Sequence, residues 1–211
     1  MANTAAFTGI NGLREIRRSP ASHLAEAFDT GSVQGTVTLN EGPFQTMVGV
    51  RVDRSSEAGA RIASVTGGLP ERCGDVGGTE RVSVLWLGPQ EFLVVAPEDA
   101  HDSLGGDLIG SLKSALGDAA GQVVDLSANR TTFELSGPRA RAVLEKGCAL
   151  DLHPRTLKPG TALNTEVGNI PVALFKTGEE SFRLFPRASF ADYLGRWLLD
   201  AMREFASPEV P

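Results

Sequence analysis

The sequence has little cysteine and no long apolar run. Its two cysteines, Cys73 and Cys148, are too far apart for a CxxC motif, and we expect both to be reduced thiols. No stretch approaches the roughly 20 apolar residues that a membrane-spanning helix needs. Residues 1–7 lack the basic and apolar regions of a secretory signal, so we expect a cytoplasmic protein with no membrane partner.

Positive charge is also scarce. The 20 basic and 26 acidic side chains give a formal charge of −6. A basic face for nucleic acid is therefore not expected. The composition, 41% hydrophobic and 22% charged, is close to that of ordinary globular domains. A chain of 211 residues can bury a core in one or two compact units.

Local signatures of catalysis and metal binding are missing. His23, His101 and His153 are scattered, and none has a second ligand at a metal-binding spacing. No GxSxG nucleophile elbow occurs. The glycine-rich segment 67–78 lacks the GxGxxG and GxxxxGK[ST] spacings and precedes a strand rather than a helix, which favours a connecting loop over a phosphate cradle.

Two polar groups remain as candidates. Asp151 and His153 could supply an acid and a base, but they follow a predicted helix end, where a capping role is favoured. Asp125 and Arg130 bracket a turn between two predicted strands. An ion pair or an Asx-turn would explain them structurally, and the alternative is that Asp125 faces a cleft and binds an amine or pterin. No catalytic, cofactor-binding or metal residue is assigned.

Hydrophobic periodicity predicts a succession of strands and helices. Residues 46–53 alternate as a strand, with Met47 on the face opposite Val48, Val50 and Val52, and a helix follows. The further elements predicted are a hairpin at 81–87 and 91–96, a helix with leucines at 104, 108, 112 and 116, a strand pair at 122–126 and 131–135, a helix opening at 137–138, a hairpin at 170–176 and 182–185, and a helix from 189.

The two hairpin-helix units align at an offset of 90 residues without a gap. Phe92 falls on Phe182 and Leu104 on Leu194, and a strand and a helix precede each unit. The pattern predicts an α+β fold of two βαββα halves related by a pseudo-twofold axis, each an antiparallel sheet with helices on one face. Chance similarity between hairpins is the alternative.

The predicted organisation is an N-terminal arm at residues 1–40, a first half at 41–120 and a second half at 121–207. The arm has few large apolar side chains. We expect it to dock on a partner through Ile10, Leu13, Ile16, Leu24 and Phe28, because short isolated helices are marginal in water. The alternative is that the arm folds back over its own sheet.

Several stretches together resemble the sarcosine oxidase gamma-subunit family. They are Asp125-Leu-Ser-x-x-Arg130, Gly137-Pro-Arg-Ala-Arg-x-x-Leu-x-Lys-Gly-Cys-x-Leu-Asp-Leu-His-Pro154 and Phe182-Arg-Leu-x-x-x-Arg-x-Ser-Phe-Ala-Asp-Tyr-Leu194. The resemblance covers about residues 80–205, and its specificity lies in the order and combined spacing of short pieces. That family has a fold similar to the folate-binding domain of the glycine-cleavage T-protein.

The resemblance implies a non-catalytic structural subunit of a heterotetramer with alpha, beta and delta partners. The complex would oxidatively demethylate sarcosine to glycine and produce hydrogen peroxide and 5,10-methylenetetrahydrofolate. FAD, FMN, NAD, zinc and tetrahydrofolate would lie on other subunits and none on this chain. The alternative is a stand-alone folate-binding protein or aminomethyltransferase. A T-protein normally carries a further C-terminal barrel domain, whereas this chain ends soon after the helix from Ser189.

Overall fold

The computed structural model describes the backbone of residues 17–206 and the side chains of residues 17–205. This part of the chain forms strands, α-helices and short 3-10 turns. The strands are β1 (Thr38–Glu41), β2 (Gln45–Val52), β3 (Val76–Gly78), β4 (Ser83–Gly88), β5 (Glu91–Pro97), β6 (Gly121–Asp125), β7 (Phe133–Ser136), β8 (Thr161–Val167), β9 (Ile170–Gly178) and β10 (Ser181–Pro186). The α-helices are α1 (Ala25–Gly31), α2 (Glu57–Thr66), α3 (Leu108–Leu116), α4 (Ala140–Glu145) and α5 (Ala191–Ala206). The 3-10 turns are Ser22–Leu24, Glu98–Ala100, Asp102–Leu104 and Ala188–Phe190. None of the helices described is long and apolar enough to cross a membrane.

The strands form two five-stranded antiparallel sheets with matching topology. The first sheet has the order β3-β4-β5-β2-β6, and the second has the order β8-β9-β10-β7-β1. Each sheet therefore has a hairpin in the middle, followed by the first strand of its half and then by an edge strand. The predicted α+β fold of two related halves, each an antiparallel sheet with helices, is confirmed. Each half also has one strand that the predicted βαββα order did not include, β3 in the first half and β8 in the second.

The sheets pack face to face, and the helices cover their outer faces. In β2, Val48, Val50 and Val52 face a core shared with α2 and α3, whereas Met47 faces a third cluster between the sheets. This is the alternation that the sequence predicts. The second sheet packs its outer face against α1, α4 and α5. The result is four layers, with one sheet on each side of the middle.

The register of the two hairpins confirms the duplication. Phe92 lies opposite Trp86 in the first hairpin, and Phe182 lies opposite Lys176 at the same place in the second. Both phenylalanines are buried. Both hairpins also contain a register shift near their turn. The Leu104 and Leu194 positions are both buried, but Leu104 lies in a separate 3-10 turn and Leu194 in the first turn of α5.

One predicted strand pairing is wrong. The strands predicted at 122–126 and 131–135 exist as β6 and β7, but they belong to different sheets. β6 pairs with β2, and β7 pairs with β1 and β10. Alternation of side chains identifies a strand but does not choose its neighbour, which is set by packing over long sequence separations.

The N-terminal part of the described chain belongs to the second half. Leu24 and Phe28 are buried in the core of the second sheet, and the Phe28 ring meets Phe133 edge-on at 5.7 Å between centroids. The expectation that these two side chains dock on a partner is therefore wrong, because this chain's own sheet covers them. Ile10, Leu13 and Ile16 lie outside the described residues.

Strands β1 and β6 also lie near the predicted segment boundaries at residues 40 and 120. β1 precedes the first half but pairs in the second sheet, and β6 follows residue 120 but pairs in the first. The division into three segments stays a prediction, and the first sheet is built from residues 45–125 without interruption.

Candidate functional site

The turn between β6 and β7 contains the two residues that the sequence singles out. Asp125 Oδ1 accepts a hydrogen bond from the Ser127 backbone N–H at 2.9 Å, which is the predicted Asx-turn. Arg130 turns away to the second sheet, where its Nη1 donates to the Phe185 carbonyl at 2.6 Å. The alternative of an ion pair between Asp125 and Arg130 is wrong, because the carboxylate of Asp125 pairs with His101 and Arg130 is not within ion-pair distance of it.

Asp125 pairs instead with His101, which the sequence did not predict. The distance from His101 Nε2 to Asp125 Oδ2 is 2.9 Å, and His101 Nδ1 lies 2.8 Å from Ser103 Oγ. Nδ1 also accepts the Ser103 backbone N–H at 3.1 Å, so the proton of a neutral ring belongs on Nε2, which donates to Asp125. Burial alone would raise the pKa of Asp125, but hydrogen bonds from Ser127 and His101 outweigh it and hold the pKa below its ordinary value.

The row Ser103–His101–Asp125 resembles a nucleophile with a base and an orienting acid. The geometry supports a structural role more directly. His101 is the N-cap of the turn Asp102–Leu104, and its Nδ1 lone pair is engaged by the backbone N–H of that turn. Ser103 and Asp125 are exposed, whereas a nucleophile of this type works in a site that excludes water. These hydrogen bonds therefore hold the turn before α3 against the edge strand β6.

Asp151 and His153 form a second local turn. Asp151 accepts hydrogen bonds from the His153 backbone N–H at 2.9 Å and from the Thr156 hydroxyl at 2.8 Å. His153 Nδ1 accepts the Arg155 backbone N–H at 3.2 Å. They fold their own turn rather than capping the end of α4, whose Leu144 carbonyl accepts backbone N–H groups of Gly147 and Cys148.

The other residues considered as ligands lie apart. Cys73 and Cys148 are free thiols, as predicted. His23 contacts Asp192 across the junction of the first 3-10 turn and α5, with 2.6 Å between Nε2 and Oδ1. Within residues 17–206, no three His, Cys, Asp or Glu side chains are grouped so that they could hold a metal ion. The 67–78 segment connects α2 to β4 and supplies the edge strand β3.

The most unusual polar group is Arg130, at a corner where the two sheets meet. It is half-buried, and its Nε is buried without a hydrogen-bond partner in the described part of the chain. It faces Arg187 across an isolated antiparallel bridge. Burial lowers the pKa of Arg130, the positive charge of Arg187 lowers it further, and Glu91 partly offsets both.

Arg130 and Arg187 line one groove of about 460 Å³ at this corner. Its walls come from three places: the β4–β5 hairpin, the β8–β9 hairpin and the 3-10 turn before α5. Leu87, Val172 and Phe190 supply apolar surface, and Asn164 and Thr165 supply polar groups. Residues separated by up to about a hundred positions meet here. No local sequence motif could therefore have predicted the groove.

Comparisons with known proteins identify the family. The model of the sarcosine oxidase, gamma subunit family matches residues 59–204. A sarcosine oxidase subunit gamma from Corynebacterium sp. (strain P-1) is 52% identical over 197 residues, covering 92% of this chain and 94% of the relative. The corresponding subunit from an Arthrobacter species is 51% identical over the same length and coverage.

Solved structures agree with the sequence relatives. A chain of the heterotetrameric sarcosine oxidase from Corynebacterium sp. U-96 matches with a TM-score of 0.86 and 47% identity, covering 93% of this chain and all of that one. The glycine cleavage system aminomethyltransferase T from Bartonella henselae matches with a TM-score of 0.56 at 17% identity, covering 83% of this chain and 48% of that one, which shows a shared fold alone. Because the family model spans more than half of the chain and the relatives cover nearly all of it, this chain belongs to the sarcosine oxidase gamma-subunit family.

Proposed function

We propose that this chain is a non-catalytic structural subunit of a heterotetrameric sarcosine oxidase. The observation that carries the proposal is the match over the whole length of a chain from such a complex, at a TM-score of 0.86. The polar groups of the described residues add support, since Asp125, His101 and Asp151 are engaged in holding turns. The chain would act by packing against the other subunits.

The reaction that we propose for the whole complex is the one that the family resemblance implies. Sarcosine would lose two electrons and two protons, which oxygen would take up as hydrogen peroxide. Tetrahydrofolate would accept the oxidised methyl carbon as 5,10-methylenetetrahydrofolate, leaving glycine. The alpha, beta and delta subunits would carry FAD, FMN, NAD, zinc and the tetrahydrofolate site. The likeness to the aminomethyltransferase gives no separate support for a stand-alone folate enzyme, because it shows only the fold.

The test compares the isolated chain with the assembled complex. We expect the purified chain to show no flavin absorbance and no sarcosine-dependent peroxide, and we expect it to co-purify at equal stoichiometry with the other three subunits when all four are produced together. Stoichiometric flavin on the chain alone, or turnover by it, would contradict the non-catalytic role. Failure of the wild-type chain to join the other subunits would contradict the subunit role.

A further inference from the structure

The duplication supplies an internal comparison for the Arg130–Arg187 corner. Phe182 pairs with Leu135 as Phe92 pairs with Val50. Counting five residues back from Leu135 and five forward from Phe182 places Arg130 on Gln45 and Arg187 on Pro97. Gln45 and Pro97 face each other in the first sheet as the arginines do in the second. The same corner is thus built twice, once with two guanidinium groups and once without charge. This corner of the fold can therefore be built from uncharged residues.

The corresponding groove in the first half is electrostatically satisfied. Gln45 Oε1 accepts a hydrogen bond from the Thr132 hydroxyl at 2.9 Å. Arg81 and Arg183, which line that groove, pair with Asp99 at 2.9 Å and with Glu134 at 3.0 Å. Every arginine of this groove therefore has a carboxylate from the chain itself.

The Arg130–Arg187 groove differs in this respect. Among the described residues, neither arginine lies within ion-pair distance of a carboxylate. Glu91, which also lines the groove, pairs with Arg51 at 3.1 Å. Two like charges therefore lie side by side at this corner, Arg130 half-buried and Arg187 exposed, and among the described residues Arg130 Nε is buried without a hydrogen-bond partner. An anion in the groove would reduce the repulsion between the two guanidinium groups and would accept hydrogen bonds from their accessible N–H groups.

The residues around the groove indicate what kind of anion would bind there. Phe190 at the rim is 36% exposed, and Tyr193, one helical turn further along, is 50% exposed. Exposed aromatic side chains next to arginine are the residue types enriched at the centres of protein interfaces. Arginine also pairs with planar carboxylates through two parallel hydrogen bonds. The groove is open rather than enclosed, which suits a side chain carried on another protein's surface.

We propose that the Arg130–Arg187 groove receives a carboxylate side chain from another subunit of the oxidase, with apolar side chains of that subunit covering Phe190 and Tyr193. The assignment rests on the proposed subunit function. It adds the surface through which the chain is held and the chemistry of the group that this surface recognises. Water is excluded when the aromatic rim is covered, and the ion pair then forms in a less polar environment where it is stronger.

The experiment measures assembly of variant chains with the other three oxidase subunits, produced without this chain. Arg130→Gln introduces the residue that the first half has at the equivalent position, and Arg187→Gln changes an exposed side chain, so both variants are expected to fold. Arg72→Gln, at an exposed arginine in the loop before β3, is the matched control. We expect each groove variant to weaken assembly about tenfold or more, and the control to leave it unchanged. Circular dichroism and the thermal midpoint verify folding.

The outcomes separate the two proposals. If the wild-type chain assembles and both groove variants assemble as tightly as Arg72→Gln, the groove assignment is overturned and the subunit function stands. If the wild-type chain itself does not assemble, the proposed subunit function is contradicted, and so is the proposal that a carboxylate of another subunit binds in the groove. A second measurement titrates the isolated chain with sodium acetate and sodium succinate. We expect no saturable binding below about 10 mM, and saturable binding that Arg130→Gln abolishes would make this a small-acid site instead.

Discussion

At the residue scale, Trp86 and Lys176 occupy equivalent positions in the two halves and show which properties of the side chain are shared and which differ. Each lies opposite a buried phenylalanine, Trp86 with its ring 6.0 Å from Phe92 and Lys176 with Nζ 5.7 Å from the Phe182 ring. Lys176 is 1% exposed and donates to the Leu157 carbonyl at 3.0 Å. The fold thus requires a long side chain over the aromatic ring at this position, whereas its charge can differ.

Asp125 gives a prediction about pH. Its pKa is lowered in the folded chain, so the stabilisation is present above the ordinary carboxyl pKa of about 3.9 and is lost as the pH falls through the lower folded value. Asp125→Asn should therefore be less stable than the wild type at pH 7, and the difference should shrink at about pH 3. Urea unfolding midpoints at both pH values measure it.

The control for this prediction is Asp118→Asn. Asp118 is exposed, and no side-chain contact is described for it, so the substitution should change the urea midpoint little at either pH. If the difference in urea midpoint between Asp125→Asn and the wild type is the same at pH 7 and pH 3, the ionised form of the Asp125 carboxylate does not account for the stabilisation.

At the element scale, α1 should contribute to stability in the isolated chain. Phe28 is 2% exposed and packs on the second sheet and on α5. Replacing it with alanine leaves a cavity, and we expect Phe28→Ala to lower the free energy of unfolding by about 3–5 kcal/mol. Denaturant unfolding of the isolated chain measures the effect. No loss of stability would mean that α1 is detached from the sheet in solution.

Phe190→Ala is the matched control for Phe28→Ala. Phe190 is partly exposed at the groove rim, and its removal should lower the free energy of unfolding by less than about 1 kcal/mol. The comparison separates an aromatic ring that the fold buries from one that the chain leaves uncovered. A large loss of stability in Phe190→Ala would place this ring in the core rather than on a binding surface.

The elements also show what sequence patterns can and cannot predict. The hairpins predicted at 81–96 and 170–185 are found within a few residues as β4–β5 and β9–β10, because alternation and turn residues are local signals. The partners of β1 and β6 were not predictable in this way, because strand pairing depends on contacts distant in sequence. No local pattern predicted β8.

At the candidate site, too, local features were predictable from the sequence and long-range contacts were not. The Asx-turn at Asp125 was predicted because the carboxylate and the amide lie two residues apart. Arg130 and Arg187 meet only because β7 and β10 are neighbours. The sequence did contain one relevant difference between the halves. The offset of 90 residues that aligns Phe92 with Phe182 also aligns the uncharged Pro97 with Arg187.

At the scale of the whole molecule, the first sheet is an insertion in the second. All strands of the first sheet lie within residues 45–125, whereas the second needs β1 from before that segment and β7 to β10 from after it. A chain that starts at residue 42 should therefore keep hydrogen-exchange protection in the first sheet and lose it in β7 and β10, because β1, Leu24 and Phe28 are removed.

Hydrogen exchange on the full-length chain is the reference for this prediction. In the full-length chain both sheets should be protected, since both have complete hydrogen-bond ladders. Unchanged protection of β7 in the shortened chain would show that the second sheet is stable without its edge strand. Loss of protection in both sheets would show that the face between them is needed for either to fold.

The inserted topology also affects the order of events on the ribosome. Leu24, Phe28 and the edge strand β1 are made early, but the other strands of the sheet that covers them are made only from Phe133 onward and end with β10. At about 5–20 residues per second, the wait is on the order of ten seconds. During that interval the first sheet is fully synthesised and can form, while an apolar segment upstream of it has no surface to bury against. A chaperone that binds short apolar segments would find its target there, and the earliest part of the described chain would be among the last to reach its final position.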